Sequence, residues 1–210
     1  MEESLDTSLT RSIASAPVGD LLASIADTTI DAVVESGSLD GVPFFGLLLG
    51  GRKAYSAIRE SLSLRKIVIF LQQFSSLSQE VRQSFIEGFS TPEEQHRFGQ
   101  SVLLLLERAE DMKKPAIVGK LMAAAASGEI GLAMAMRLSK MVDKSYTEDL
   151  DYLKSFRPGI QGELTPIADA LYSAGFLANC GIDGGDAYGN GGYIYELNEY
   201  GKTLATYGLN

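Results

Sequence analysis

Residues 43–74 constrain the fold of this chain more than any other stretch, because apolar, small and basic residues coincide there. Gly46, Gly50 and Ala54 recur every fourth residue. On a helix that spacing lines the small residues up in one strip, where a second helix can approach closely. The basic residues Arg52, Lys53, Arg59, Arg65 and Lys66 follow, and the stretch closes on the apolar run at 67–71. The pattern predicts two helices that meet around Ser61 to Ser63. One reading makes them a close-packed helix pair of the core with solvated cations on the far face. The other makes them an amphipathic element that self-associates or meets an anionic membrane surface when released. The candidate interaction residues of this stretch are Gly46, Gly50, Ala54, Arg52, Lys53 and Arg59.

Composition narrows the chemistry. The 210 residues, 45% of them hydrophobic, can bury a real core in one large or two small domains. A net charge of -9, from 27 acidic and 18 basic side chains, argues against DNA binding as the main activity. The charge is divided along the chain. Residues 51–66 hold five cations against Glu60 and carry +4, whereas residues 160–210 hold six acids against Lys202 and carry -5. The single histidine, His96, excludes multi-histidine metal sites and histidine triads; it reads as a polar position early in a helix. The single cysteine, Cys180, excludes an internal disulfide and reads as a small, partly buried residue in a cytoplasmic protein. A spanning helix needs roughly 20 apolar residues, and the uncharged run at 41–51 is too short for one. Membrane association is therefore expected only on activation, as a peripheral contact.

Along the chain, residues 1–18 are rich in Ser and Thr with little periodicity and read as a mobile leader. A helix is expected from Asp20 through Val34. Ser78 then offers an N-cap for a helix to about Phe89. The strongest local signal is Thr91-Pro92-Glu93-Glu94, a capping residue, a proline at the first helical position and a glutamate able to reach back. Helices opening at Pro115, Glu129 and Thr147 complete a compact helical bundle, and Arg157-Pro158-Gly159 breaks it. The small residues Gly119, Ala123 and Ser127 mark a second close helix contact. The expected organisation is a leader (1–18), a helical domain (19–156) and a small module (160–210).

The module has its own pattern. Residues 165–177 read as a helix that ends at Gly175 and leads into Phe176-Leu177. A Gly-rich aromatic loop spans 181–193, residues 194–197 form a strand, and Asn198 caps final helical turns to Leu204. One copy of a Gly-Gly-Asp-Ala-Tyr-Gly-Asn-Gly-Gly segment in that loop is too little for a calcium-binding repeat. This succession resembles the end of winged-helix domains, in which a helix, a hairpin wing and a strand lead into a last helix. The resemblance implies a mainly α chain, a multi-helix bundle followed by a small winged-helix-like α/β module. With Lys202 as its only basic residue the module lacks what reading DNA requires. It therefore reads as a protein-interaction or structural wing, with Tyr188 and Tyr193 as candidate contacts.

Over residues 28–205 the order of features is also similar to a group of uncharacterised bacterial proteins. The residues that carry this are Pro43, Gly46, Gly50, Lys53-Ala54, Ala57-Ile58-Arg59, the segment 64–71 and Leu105-Leu106-Glu107-Arg108. The tail looks like that of the abortive-infection alpha family, which implies a bacterial antiviral-defence role. No catalytic, cofactor-binding or metal-binding residue comes with either resemblance. The expected function is non-enzymatic: a defence protein acting through oligomerisation or protein-protein contact, with membrane perturbation as an extension. The alternative is a cytoplasmic adaptor or regulator that binds a partner protein through its acidic tail. An enzyme acting on nucleic acid or nucleotide is the least supported class, since no paired acidic or histidine motif appears.

Overall fold

The computed structural model describes residues 4–16, 18, 41–50, 57–156, 165–185 and 191–210. The chain is mostly helical, with one small antiparallel sheet near the C-terminus. It divides into two compact units, Met1–Leu132 and Ala133–Asn210. The division falls just inside a helix, earlier than the expected start of the small module near residue 160. Among the described residues, no helix is long and apolar enough to cross a membrane.

The first unit is built from α1 (Leu5–Ala14), α2 (Pro43–Gly50), α3 (Ala57–Gln72), α4 (Gln79–Glu87), α5 (Pro92–Arg108) and α6 (Lys113–Ala126). The expected mobile leader is instead α1, which packs on α2, α4 and α5. Leu9 and Ile13 are fully buried, together worth about 3–6 kcal/mol of transfer free energy. The Ser/Thr content that suggests a loop is accommodated because the hydroxyls bond within the helix. Thr10 Oγ1 donates to the Thr7 carbonyl at 2.8 Å, and Ser12 Oγ to that of Ser8 at 2.8 Å. Ser12 Oγ also accepts the Phe44 N–H at 2.9 Å, satisfying one of the open donors in the first turn of α2. Carbonyls at the C-terminal end of α1 are met by Arg82 of α4, whose Nη1 donates to Ile13 and Ser15, both at 3.2 Å. His96 of α5 is more than a polar position, because its Nδ1 meets the carboxylate of Asp6 on α1. Close by, Gly99 lets α5 touch α1: a Cβ there would lie 2.4 Å from the Asp6 carbonyl oxygen.

Residues 43–74 contribute heavily to this core. Phe44, Phe45, Val68, Phe70, Leu71 and Phe74 are all buried, and Phe70 and Phe74 meet edge to face at 5.5 Å. The expected break around Ser61 to Ser63 is absent, since α3 runs through it. Serine costs a helix only about 0.5 kcal/mol, which burial of Leu64, Ile67, Val68 and Leu71 outweighs. The second small-residue strip does mark a close contact. α3 packs on α6, and a Cβ on Gly119 would lie 2.6 Å from the Phe70 carbonyl oxygen.

The caps show why the helices start where they do. Ser78 accepts from Val81 N–H at 3.4 Å and Thr91 from Glu94 N–H at 3.2 Å. Glu94 does reach back, but to the N–H of Ser90, at 2.9 Å, one residue before the cap. α6 opens at Lys113 rather than at Pro115, because the Asp111 carboxylate accepts the N–H groups of Lys113 and Lys114 at 2.7 and 3.0 Å. Pro115 is tolerated in that first turn, where its missing donor is not needed. The helix expected over 20–34 lies outside the described residues.

The second unit begins within α7 (Leu132–Asp143). It continues through α8 (Thr147–Leu150), a 3-10 turn (Asp151–Ser155), α9 (Thr165–Ser173), β1 (Leu177–Asp183), β2 (Gly192–Leu197) and α10 (Glu199–Tyr207). Its core holds Leu138, Val142, Leu150, Leu153, Phe156, Leu171, Phe176, Tyr195 and Leu204. The helix, hairpin and last helix stand in the expected order.

Candidate protein-interaction surface

The hairpin is positioned by a knot of backbone and side-chain contacts at its base. α9 ends at Ser173; Gly175 in the turn after it has a φ of +91°, which suits glycine behind a helix end, and Phe176 N–H returns to the Leu171 carbonyl at 3.0 Å. Asn198 then ties three segments together. Its Nδ2 donates to the carbonyls of Gly175 and Leu177 at 2.8 and 3.2 Å, and its Oδ1 accepts from Gly201 N–H at 3.0 Å as the cap of α10. Its own N–H donates to the Phe176 carbonyl at 3.1 Å. Gly201 is pressed against that same carbonyl, so that a Cβ would lie 2.2 Å from the oxygen.

The two strands pair antiparallel, with Leu177 opposite Leu197, Asn179 opposite Tyr195 and Ile182 opposite Tyr193. The ladder skips a residue between Asn179 and Gly181, leaving Cys180 at the bulge. Cys180 is exposed, as are Ala178 and Asn179 before it, contrary to the partly buried position expected from its type. β1 itself takes in residues the sequence reading left in the Gly-rich loop, because pairing with β2 reaches as far as Asp183 and Gly192.

One face of the hairpin carries a row of aromatic side chains. Tyr193 and Tyr195, two residues apart on β2, point the same way, as does Ile182 opposite Tyr193. Tyr172 of α9 extends the row, with ring centroids 5.1 Å from Tyr195, and Tyr193 lies 6.2 Å from Tyr195 on the other side. The middle ring is buried, whereas Tyr172 is 45%, Tyr193 52% and Ile182 73% exposed. Large apolar groups gathered on a solvent-facing hairpin are the kind of patch that marks contact sites. The charge brought to this row is negative, since Asp169, on the helix that carries Tyr172, bonds the Tyr195 hydroxyl.

Tyr195 is pinned by its hydroxyl, which donates to Asp169 Oδ1 at 2.7 Å. That carboxylate, accepting the hydrogen bond of the neutral phenol, pushes it up to about 12, helped by burial and by the Asp169 charge. A folded-state value above the unfolded one, about 10, means the stabilisation is complete below pH ~10 and is lost as pH rises towards 12. In an ultraviolet phenolate titration, one tyrosine should therefore ionise late, and Tyr195→Phe should remove that component. If all tyrosines titrate together near 10, the Asp169 bond is absent in solution.

Of the residues singled out in the sequence, Tyr193 is the one that joins this row. Gly46 is exposed on α2, beside the buried Phe44 and Phe45, and Gly50 closes that helix. Arg59 lies in α3, and Arg52, Lys53, Ala54 and Tyr188 lie outside the described residues. Tyr172 and Ile182 were not singled out in the sequence, and Tyr195 entered only as the end of the 188–195 loop. The Tyr193-x-Tyr195 spacing in a predicted strand was the available signal for Tyr195. Among the described residues, no group of three or more His, Cys, Asp or Glu side chains could hold a metal ion. No family of known proteins, curated protein or solved structure matches the chain.

Proposed function

We propose that this chain is a non-enzymatic binding protein that captures a partner protein on the aromatic face of its C-terminal hairpin. The observation that carries this reading is the exposed pair Ile182 and Tyr193, continued by Tyr195 and Tyr172 over a buried anchor. Aromatic side chains supply large contact area at low cost in conformational entropy, and tyrosine is enriched where binding energy concentrates. The acidic setting favours a partner segment that combines Lys or Arg with apolar residues. The role is that of an adaptor or regulator. Within an antiviral-defence setting, the partner would be the component that this protein senses or restrains.

The test is selection of displayed random peptides on the full chain and on the Ile182→Glu/Tyr193→Glu variant. Both positions are exposed, so the variant should keep the thermal midpoint of the parent. Peptides enriched on the parent should be cationic and apolar, and should lose at least about tenfold in affinity on the variant. Equal enrichment on both proteins would sink the reading.

A second reading rests on Gly46, which is exposed on α2 while Phe44 and Phe45 before it are buried. A bare backbone at that point permits another helix to approach, in keeping with self-association through residues 43–74. If so, Gly46→Leu should convert an oligomer to a monomer in light scattering while leaving the thermal midpoint in place. A chain that is monomeric before the substitution removes this reading.

A further inference from the structure

Three cations in and directly after α7 stand out within an acidic unit. Arg137 and Lys140, at i and i+3, share one side of α7, and Lys144 follows in the turn directly after the helix, its N–H bonded to the Met141 carbonyl. Such neighbours repel one another by a few tenths of a kcal/mol per pair, so the arrangement stands at a cost that an anion between them would remove. They rim a cavity of about 440 Å³ between α7, the start of α8 and α9. Its floor is apolar, made by Met141 and the buried Leu171 with Ala170 and Ala174 beside them. Asp149 supplies one carboxylate to the wall, leaving three cations against one acid. Arg137 is held in place, its guanidinium carbon 4.8 Å from the centre of the Tyr200 ring. A second cavity of about 530 Å³ shares Arg137 and Lys140 and is lined by Met134 and Met136.

An ordinary solvated helix face would carry these cations over open solvent. Here they surround a concave apolar floor of the size that small-molecule sites have. We propose that this cavity binds a small amphiphilic anion, with an apolar body on Met141 and Leu171 and an oxyanion head between Lys140, Lys144 and Arg137. The net charge of the whole chain is -9, so long-range attraction does not draw such a ligand in. Recognition is local, and needs the head and the body together.

The experiment is an amide NMR titration of the full chain with octanoate, with octanol and acetate as the probes that lack the head or the body. Octanoate should shift the amides of residues 140–146 and 170–174 saturably. Octanol and acetate at equal concentration should leave them in place. In Lys140→Glu/Lys144→Glu, whose changes fall on exposed side chains, octanoate affinity should fall by about tenfold or more. Lys140→Gln/Lys144→Gln serves if the double reversal does not fold, with a smaller loss in the same direction. Octanol binding as tightly as octanoate, acetate alone saturating these amides, or undiminished octanoate affinity in both variants would each overturn the proposal.

Discussion

Gly201→Ala is expected to lower the stability of the C-terminal unit by about 3 kcal/mol, more than an ordinary helix substitution of that kind. Alanine favours helix over glycine by about 1 kcal/mol, so propensity alone would make the change stabilising. Sterics decide otherwise. The new Cβ would lie 2.2 Å from the Phe176 carbonyl oxygen and 2.8 Å from Leu197 Cδ2. The oxygen cannot step aside cheaply, because it accepts the Asn198 N–H, and Asn198 in turn bonds Gly175, Leu177 and Gly201. Urea denaturation followed by the near-ultraviolet signal of the tyrosines should show a lower midpoint. Gly184→Ala, at a position with nothing within 4 Å, should leave the midpoint unchanged. Equal behaviour of the two would mean that the close approach at the base of the hairpin is absent in solution.

Replacing Arg82 by Ala should cost about 3 kcal/mol or more in the N-terminal unit. Its side chain is 3% exposed, and its Nη1 serves two carbonyls at the end of α1. Burial lowers the tendency of its guanidinium to hold charge, opposed by Glu80, yet arginine stays protonated throughout the ordinary pH range. Removal leaves Ile13 and Ser15 without those donors and opens a void where the stem packed. Arg82→Lys should recover only part of the loss, since a compact ammonium is more strongly hydrated than a guanidinium and costs more to bury. Proteolysis should then cut first near α1, read by mass spectrometry of early fragments. Unchanged cleavage in Arg82→Ala would contradict the docking of α1 through this side chain.

These two residues also show where the sequence was legible and where it was not. Local signals were read from residues a few positions apart. Ser78, Thr91 and Asn198 cap as their types and spacing suggested, and Gly119 marks a close helix contact. What failed depended on distant partners. α1 has the composition of a loop, and it is held by Arg82, which lies 69 residues beyond Ile13, and by the backbone gap at Gly99. The aromatic row has the same origin, since Tyr172 comes from α9 and Tyr193 from β2, and only the folded hairpin brings both to Tyr195. Cys180 was misplaced because it falls in a strand whose residues beyond Leu177 are largely open to solvent, which no local signal at the cysteine announces. The glycine strip drew attention to residues 43–74, and the described apolar side chains of that stretch went largely to the core.

The most direct test of the central claim is the footprint of a selected cationic, apolar peptide on the full chain, measured by amide NMR. Shifts should concentrate at Tyr172, Ile182 and Tyr193 and be absent in Ile182→Glu/Tyr193→Glu. A footprint confined to α2 around Gly46, or one that survives the double substitution, would contradict it.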